Sequence, residues 1–457
     1  MIMNSGRIAV AKAMLAVILL FPLTGGIAHA QASPPSRQVP VDSLIFDLKN
    51  PDPVRRKDAA RLLGENKVQR ATPDLVAAAP DPNVDVRREI VGALDKMRDM
   101  RALPAFVKLS ADSDASIRDQ CILGLINLYI PQGGGLVGTL NKVANFFNPW
   151  SDEWADVVIE PDVRVDASAI AALRDRLKDT EDGLRLKGAR ALGILKGKAA
   201  VPALVEALHQ SQTNAIRFEI IRAICKIGDV SAARDLMSYL EYNDYKVRNK
   251  AVYAIGRLRY HEATAEMVRL YEKESALPVK LIDKPYRESL LDALAFIADP
   301  SASPLFTKEK QNQDDALRLH AVEGLARLGN RDMVSEVSRD WLHESIPRIK
   351  TAMAYGLFRM GRREFLDEVV NSLGSSKTDE EAHMFLLELK ADELPELYAE
   401  VKNNNVNVRE GLAEVLGLIG DERALPVLQS LTRDGRGQIA SLANQATRNI
   451  NSRLSPR

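Results

Sequence analysis

The residues of this chain best suited to metal or proton chemistry are its six histidines, two of which are followed directly by glutamate. An imidazole and a nearby carboxylate can together ligate a divalent ion. The two pairs are His261-Glu262 and His343-Glu344. One follows an amphipathic helix pattern and the other precedes a different one, so the two pairs are not expected to converge. We therefore predict no metal site.

Two glycine-containing segments match nucleotide-binding loops only in part. Gly133, Gly135 and Gly138 have the spacing G-x-G-x-x-G, but that motif requires a preceding strand and a βαβ unit. A helical pattern precedes it here. The segment Gly193–Lys198 is one residue shorter than a P-loop, and Ala199 stands where a Ser or Thr is needed. We predict that the protein binds no cofactor and is not an enzyme.

Charge and cysteine content limit the classes of partner and of fold. Lys plus Arg and Asp plus Glu both number 62, which argues against a general nucleic-acid binder. The two cysteines, Cys121 and Cys225, occupy core positions at least two helix layers apart, too far for a disulfide. We expect both to be buried, unreactive thiols.

A template of about 31 residues recurs from Arg56 almost to the C-terminus. In the copy Asp244–Gly256, Asp244 is placed to cap a helix and Arg248 falls in its first turn. The glycine, Gly256, is expected to end the helix. The position four residues after the arginine is apolar in every copy. It is occupied by Ala60, Val91, Ile122, Ala189, Ile221, Val252, Leu291, Val322, Ala352, Met384, Ala413 and Ala440.

Each of these helices is preceded by a second apolar segment, such as Pro73–Ala79 or Pro104–Leu109. A two-helix unit cannot bury its apolar face alone, so neighbouring units must stack into one continuous core. The sequence therefore predicts an all-α fold, a right-handed α-solenoid (superhelix) of about twelve helical hairpins with one insertion.

Three segments carry a resemblance to a known repeat family, namely Pro53–Gly64, Lys246–Arg248 and Val406–Gly417. They resemble HEAT-like repeats, including the subtype of the bilin lyases. The resemblance implies a ladder between the turn Asp of one repeat and the helix Arg of a neighbour, for example at Asp244. It also leaves an enzymatic alternative of the bilin-lyase type.

A second enzymatic alternative is a di-iron hydroxylase, because deoxyhypusine hydroxylase is similar in repeat type. That family binds iron through His-Glu pairs early in the second helix of its repeats. At the matching position, two residues after the repeat arginine, only His320 is a histidine. Val322 lies near it where the family has a carboxylate. The resemblance therefore does not extend to the iron ligands.

The repeats divide the chain into five segments. Residues 1–30 are predicted to be a cleavable signal peptide, since Arg7 and Lys12 precede an apolar run and Ala28-His29-Ala30 forms a cleavage pattern. Residues 31–40 are a Pro-rich linker, 41–128 are HEAT-like repeats 1–3, 129–166 are an insertion, and 167–457 are repeats 4–12 with a polar cap. We expect a periplasmic or secreted protein with no membrane span after cleavage.

The predicted function rests on three positions of each second helix, two, five and nine residues after the repeat arginine. These positions point away from the core and are expected to line an exposed groove of the solenoid. In the three central repeats these positions are mostly basic, although basic residues are also good helix formers at any solvated position. The insertion adds two tryptophans, unless it is only a degenerate repeat. We predict a non-catalytic scaffold that binds other proteins through their acidic segments, or binds an anionic polymer. We expect it to bind no nucleic acid. The predicted partner-binding residues are Lys187, Arg190, Arg222, Lys226, Lys250, Tyr253, Arg257, Trp150 and Trp154.

Overall fold

The structure, a computed structural model, describes residues 40–130, 158–435 and 438–455. The chain divides into Met1–Pro40 and Val41–Arg457, and the second unit contains all the helices given below. Within the described ranges the regular elements are all helical, which confirms the predicted all-α class. None of the described helices combines the length and the apolar character that crossing a membrane would require.

The α-helices of the described ranges form twelve consecutive pairs. The first helices of the pairs are α1 (Val41–Asp47), α3 (Thr72–Ala78), α5 (Leu103–Leu109), α7 (Ala167–Asp175), α9 (Val201–Gln210), α11 (Ala233–Leu236), α13 (Thr264–Ser275), α15 (Ser303–Glu309), α17 (Val334–His343), α19 (Phe365–Ser372), α21 (Pro395–Glu400) and α23 (Leu425–Leu431). The second helices are α2 (Pro53–Glu65), α4 (Val84–Met97), α6 (Ala115–Tyr129), α8 (Asp182–Ile194), α10 (Asn214–Ile227), α12 (Tyr245–Arg257), α14 (Lys284–Ile297), α16 (Asp315–Leu328), α18 (Pro347–Arg359), α20 (Asp379–Leu386), α22 (Val406–Ile419) and α24 (Ile439–Leu454).

Many of the second helices begin with a side-chain cap, as the repeat template predicts at Asp244. The Asp52 carboxylate accepts from the Val54 amide at 2.9 Å, and the Asn83 side chain accepts from two amides of α4. Such a bond satisfies one of the donors that a helix start leaves without an intrahelical partner. The repeat boundary is thus encoded locally, before any packing.

Glycine at the end of the template has a different role from the one predicted. Gly256 lies inside α12, where a Cβ atom would come within 2.6 Å of the Ala293 Cα atom of α14. The same close approach joins Gly64 to Ala93 in the next second helix. The glycine therefore allows adjacent second helices to touch along their backbones rather than ending the helix.

Consecutive second helices pack directly on one another, and the insertion does not interrupt the stack because α6 packs on α8. The buried apolar residues form two clusters, however, rather than the one continuous core predicted. The clusters meet in α16, where Leu317 belongs to the first and Leu319 to the second. The neighbouring first helix α17 has no fully buried residue, but its Trp341 packs partly buried against the second cluster.

A ladder of ion pairs links neighbouring repeats. The Arg56 Nε atom lies 2.6 Å from Asp81 Oδ2, and the Arg87 Nε atom lies 2.7 Å from Asp112 Oδ2. Each of these carboxylates belongs to the residue two positions before a helix cap, not to the cap. Asp244 instead accepts from the amides of its own helix α12, so the rung predicted at Asp244 is wrong.

Candidate partner-binding surface

Seven of the predicted partner-binding residues lie on three consecutive second helices. Lys187 and Arg190 belong to α8, Arg222 and Lys226 belong to α10, and Lys250, Tyr253 and Arg257 belong to α12. The predicted Trp150 and Trp154 lie outside the described residues, as do most of the insertion and the signal peptide.

Two of the seven are not at the surface. Arg190 and Arg222 are buried on either side of Glu219, which is 2% exposed. The Arg190 Nη2 atom lies 2.9 Å from Glu219 Oε2, and the Arg222 Nε atom donates to Glu219 Oε1 at 3.0 Å. Their expected exposure is therefore wrong. The close packing of α8 on α10 covers this position, and the buried charges are kept by mutual pairing.

Tyr253 is the one aromatic residue of the predicted set within the described ranges, and it is 38% exposed. Its ring lies between two cations of the same helix. The Lys250 Nζ atom is 4.7 Å from the ring centroid, and the Arg257 Cζ atom is 4.5 Å from it. We call Lys250, Tyr253 and Arg257 the α12 patch. Contacts of cations with an aromatic ring at such distances stabilise the arrangement and hold the side chains in place.

On the α8 side of the patch, the basic character that the sequence suggested is offset by carboxylates. The Lys187 Nζ atom lies 2.6 Å from Asp119 Oδ1 of α6, and Glu219 neutralises part of the charge of the two buried arginines. Glu219 occupies the same position of its repeat as Lys187 and Lys250, so only its pairing with the arginines was missed, whereas Asp119 occupies a position that the prediction did not consider. The surface is thus a row of alternating charges rather than a uniformly basic groove.

On the α14 side, the row continues through an acidic cluster around His320. The Arg257 Nη1 atom lies 3.5 Å from Asp292 Oδ2. The His320 Nδ1 atom lies 3.7 Å from Asp292 Oδ1 and 3.2 Å from Glu323 Oε2, and its Nε2 atom lies 3.8 Å from Glu288. Burial alone would lower the pKa of His320, but the hydrogen bonds that the ring donates to Glu288 and Glu323 outweigh it and raise that pKa to about 9.

Three of these side chains could in principle hold a metal ion. One potential ligand atom from each of Asp292, His320 and Glu323 lies within 4.8 Å of the others. With no ion bound, the raised pKa of His320 keeps the ring protonated at neutral pH, and the group is an ion-pair cluster. A metal ion would have to displace that proton. The spacing of His320 and Glu323, three residues apart on one helix face, was the sequence signal for this cluster.

The other chemistry-bearing residues do not join this surface. His261 begins a turn after α12, where its Nδ1 atom lies 3.1 Å from Asp299 Oδ2, and His343 ends α17. Cys121 and Cys225 form no disulfide. Cys121 is buried, and burial raises its thiol pKa far above the ordinary value, whereas Cys225 is only partly buried and so differs from the prediction.

Known proteins resemble this chain in several segments. The model of HEAT repeats matches residues 41–126 and 201–282, and the model of the PBS lyase HEAT-like repeat matches residues 184–210 and 408–434. The bilin biosynthesis protein PecE of Nostoc sp. (strain PCC 7120 / SAG 25.82 / UTEX 2576) is 30% identical over 103 residues. That match covers 22% of this chain and 41% of the relative.

Solved structures show only general likeness. Importin beta is 14% identical with a TM-score of 0.42, over 90% of this chain and 62% of its own. The complex of CpcE and CpcF of phycocyanin lyase from Nostoc sp. PCC7120 gives a TM-score of 0.24 at 17% identity, over 67% of this chain and 92% of its own. Both scores are too low to support an inference.

The sequence matches overturn one prediction. We expected a protein that is not an enzyme, whereas the matching repeat model is that of a lyase and the curated relative is a bilin biosynthesis protein. The prediction of a non-enzyme is therefore wrong. Segments of this chain are similar to HEAT repeats and to the HEAT-like repeats of the PBS lyases.

Proposed function

We propose that this protein is a subunit of a lyase-type enzyme that acts on another protein, and that it binds this partner through the α12 patch. The observation that carries the binding part is the position of Tyr253. It is a large, partly exposed aromatic side chain fixed between Lys250 and Arg257 on the face formed by the second helices.

Two physical arguments support binding at this place. Tyrosine and arginine are the residue types that most often dominate the binding energy of protein interfaces. The patch also belongs to a stack of packed helices, so its side chains lose little conformational freedom when a partner binds. Because Lys187 is paired with Asp119 and the two arginines around Glu219 are buried, the patch is the part of the predicted set that we expect to select the partner.

Site-specific photo-crosslinking tests the binding part. A photoreactive phenylalanine analogue at Tyr253 is expected to capture one main protein partner in the native host, whereas the same analogue at Tyr245 is not. Tyr245 is a matched control because it lies on the same helix and is 60% exposed. Equal capture from both positions, or none from Tyr253, contradicts the proposed surface.

With the captured partner purified, the affinity of single variants gives the size of the effect. Tyr253→Ala is expected to weaken binding about 30-fold, corresponding to the roughly 2 kcal/mol that defines an interface hot spot. Tyr245→Ala is expected to leave the affinity within about twofold. We exclude Arg190 and Arg222 from this test because their substitution would leave Glu219 buried and unpaired.

The lyase part has its own test, and its support is the PBS lyase repeat match together with the bilin biosynthesis relative. A lyase that joins a group to a protein, or removes one, changes the mass of that protein. Intact-mass spectrometry of the captured partner, from cells with and without this protein, is expected to show such a change. Identical masses in both cells contradict the enzymatic part while leaving the binding part standing.

We further propose that the chain is exported and that its signal peptide is cleaved after Ala30. The support is the sequence of the first 30 residues, with a basic start, a short apolar run and an Ala-x-Ala pattern. N-terminal sequencing of the protein recovered from its host is expected to begin at Gln31. A mature protein that retains Met1 and fractionates with the cytosol contradicts the proposal.

A further inference from the structure

The C-terminal ends of five successive second helices, α12 to α20, meet at a cavity of about 570 Å³. Most of its charged lining is cationic. The cations are Arg259, Arg327, Arg359 and Lys390, and the one carboxylate in the lining is Glu388. Ile297 and Leu387 add apolar surface. A volume of this size is typical of sites for small molecules.

Glu388 is already used by three side chains around the cavity. The Arg327 Nε atom donates to it at 2.9 Å, the Arg259 Nη2 atom lies 2.9 Å from it, and the Tyr355 hydroxyl donates to it at 3.3 Å. Arg327 also lies 4.0 Å from Glu323, which offsets part of its charge. The excess of positive charge in the lining therefore depends on Arg359 and Lys390.

Arg327 still has an unused donor. Its side chain is 2% exposed, its Nη1 atom donates to the Ala295 carbonyl at 3.3 Å, and its Nη2 atom has no hydrogen-bond partner among the described residues. A buried donor without a partner costs about 1–3 kcal/mol, and more when the group is charged. An acceptor supplied by a ligand would remove that cost.

Two further cations, Arg359 and Lys390, line the same cavity. Arg359 is only loosely held, because its Nη1 atom lies 3.5 Å from both carboxylate oxygens of Glu393. The Lys390 ammonium group, which is exposed, forms no ion pair with any residue in the described ranges. Both side chains are thus able to turn toward an added anion.

We propose that this helix-end cavity binds a small organic molecule that carries two or more carboxylate or phosphate groups. The site is independent of the proposed function, since Tyr253 is not among the residues that line the cavity. Guanidinium groups suit such ligands because their N–H donors match the oxygens of a carboxylate or a phosphate. The Tyr355 hydroxyl, whose pKa is raised by burial, stays protonated and donates to Glu388.

A competing role for these cations is to offset the partial negative charge at helix C-termini. That role needs no ligand, and it predicts that removing a cation lowers stability without any effect on anion binding. In α14 and α16 one carbonyl of the last turn is bonded by a following amide, Leu294 by Ala298 and Leu325 by Gly329. Arg327 additionally bonds the Ala295 carbonyl, so the helix ends do not require all four cations.

Isothermal titration calorimetry of the purified protein with sodium pyrophosphate and with sodium citrate, at constant ionic strength, tests the proposal. We expect saturable binding to one site for at least one of the two anions. Pyrophosphate alone would identify a phosphate ligand, and citrate alone a carboxylate ligand. The absence of saturable binding with both anions overturns the proposal.

Two lysine variants make the test specific. Lys390→Gln is expected to weaken binding about tenfold, which corresponds to about 1.4 kcal/mol. Lys402→Gln removes an exposed lysine that does not line the cavity, and it is expected to leave the affinity unchanged. Equal weakening by both variants, or a lower melting temperature of Lys390→Gln at unchanged affinity, contradicts the proposed site.

Discussion

The Arg118 Nε atom lies 2.8 Å from Asp179 Oδ2, although the two residues are 61 positions apart in the chain. This rung joins α6 to the repeat that follows the insertion. The same carboxylate accepts from Arg176 at 2.7 Å and from the Glu181 amide at 3.1 Å. The ladder therefore continues across the insertion, and both partners of this rung are buried.

Asp179→Asn is expected to destabilise the protein by about 3 kcal/mol, because removing one partner of a buried pair leaves the other charge uncompensated. Urea unfolding followed by circular dichroism gives the free energy of unfolding. Hydrogen exchange is expected to increase most in α6 and α8. Glu65→Gln serves as control, because its exposed pair with Arg61 is worth less than about 1 kcal/mol. Similar losses in both variants would contradict a structural role for the rung.

The ladder also makes stability depend on acid. For Asp112, burial alone would raise the carboxyl pKa, but the hydrogen bond from Arg87 outweighs it and the pKa is lowered. Asp81 shows the same balance with Arg56. A group with a depressed folded-state pKa stabilises fully above its unfolded value, about 3.9 for Asp, and this contribution is lost as the pH falls through the folded-state pKa.

The measurable consequence is the difference in urea midpoint between the wild type and Asp112→Asn. We expect this difference to be constant from pH 7 to about pH 5 and to shrink as the pH falls below about 4 through the depressed pKa of folded Asp112, below which both proteins carry a neutral side chain. Asp58→Asn, at an exposed carboxylate, is expected to differ little from the wild type throughout. A difference for Asp112→Asn that grows toward low pH would show that the pKa is raised instead.

The period of the repeat was enough to predict the helix pairs, since caps such as Asp52 and apolar positions such as Val252 are set by local sequence. The exposure of Arg190 and Arg222 could not be predicted in the same way. Glu219 lies three residues before Arg222 on α10, but it contacts Arg190 only when α8 packs on α10, and this packing buries both arginines. Contacts between repeats thus decide which side chains of a regular pattern remain accessible.

The cavity at the helix ends was invisible in the sequence for a related reason. Arg259 follows α12, whereas Glu388 follows α20 four helix pairs later, and yet their side chains lie 2.9 Å apart. The repeat pattern fixes the contacts between neighbours. Contacts across several repeats depend on the small rotation at each step, which no single repeat encodes.

The protonated state of His320 gives the third prediction. A His whose pKa is raised contributes stability that is fully present below the unfolded value, about 6.5, and lost as the pH rises through about 9. His320→Gln is therefore expected to lower the melting temperature most at pH 6 and progressively less above pH 9. The groups around the ring are Glu288, Asp292 and Glu323.

Nuclear magnetic resonance of the imidazole checks this assignment directly. The signal that disappears in His320→Gln is expected to titrate with a midpoint near 9. A midpoint near the ordinary value of about 6.5 would mean that the carboxylates do not hold the proton.

The glycine contacts give the last prediction, in which helix propensity and packing act in opposite directions. Alanine is favoured over glycine inside a helix by about 1 kcal/mol. At Gly256, however, a Cβ atom would lie 2.6 Å from Ala293 Cα, a backbone atom that cannot turn away. Gly256→Ala is therefore expected to lower the free energy of unfolding by about 1–3 kcal/mol, as overpacking does elsewhere.

Gly92, inside α4, is the control, because a Cβ atom added there would have nothing within 4 Å of it. Gly92→Ala is expected to stabilise the protein by about 0.5–1 kcal/mol. Urea unfolding of both variants measures the contrast, and stabilisation by both substitutions would mean that α12 and α14 can separate at little cost.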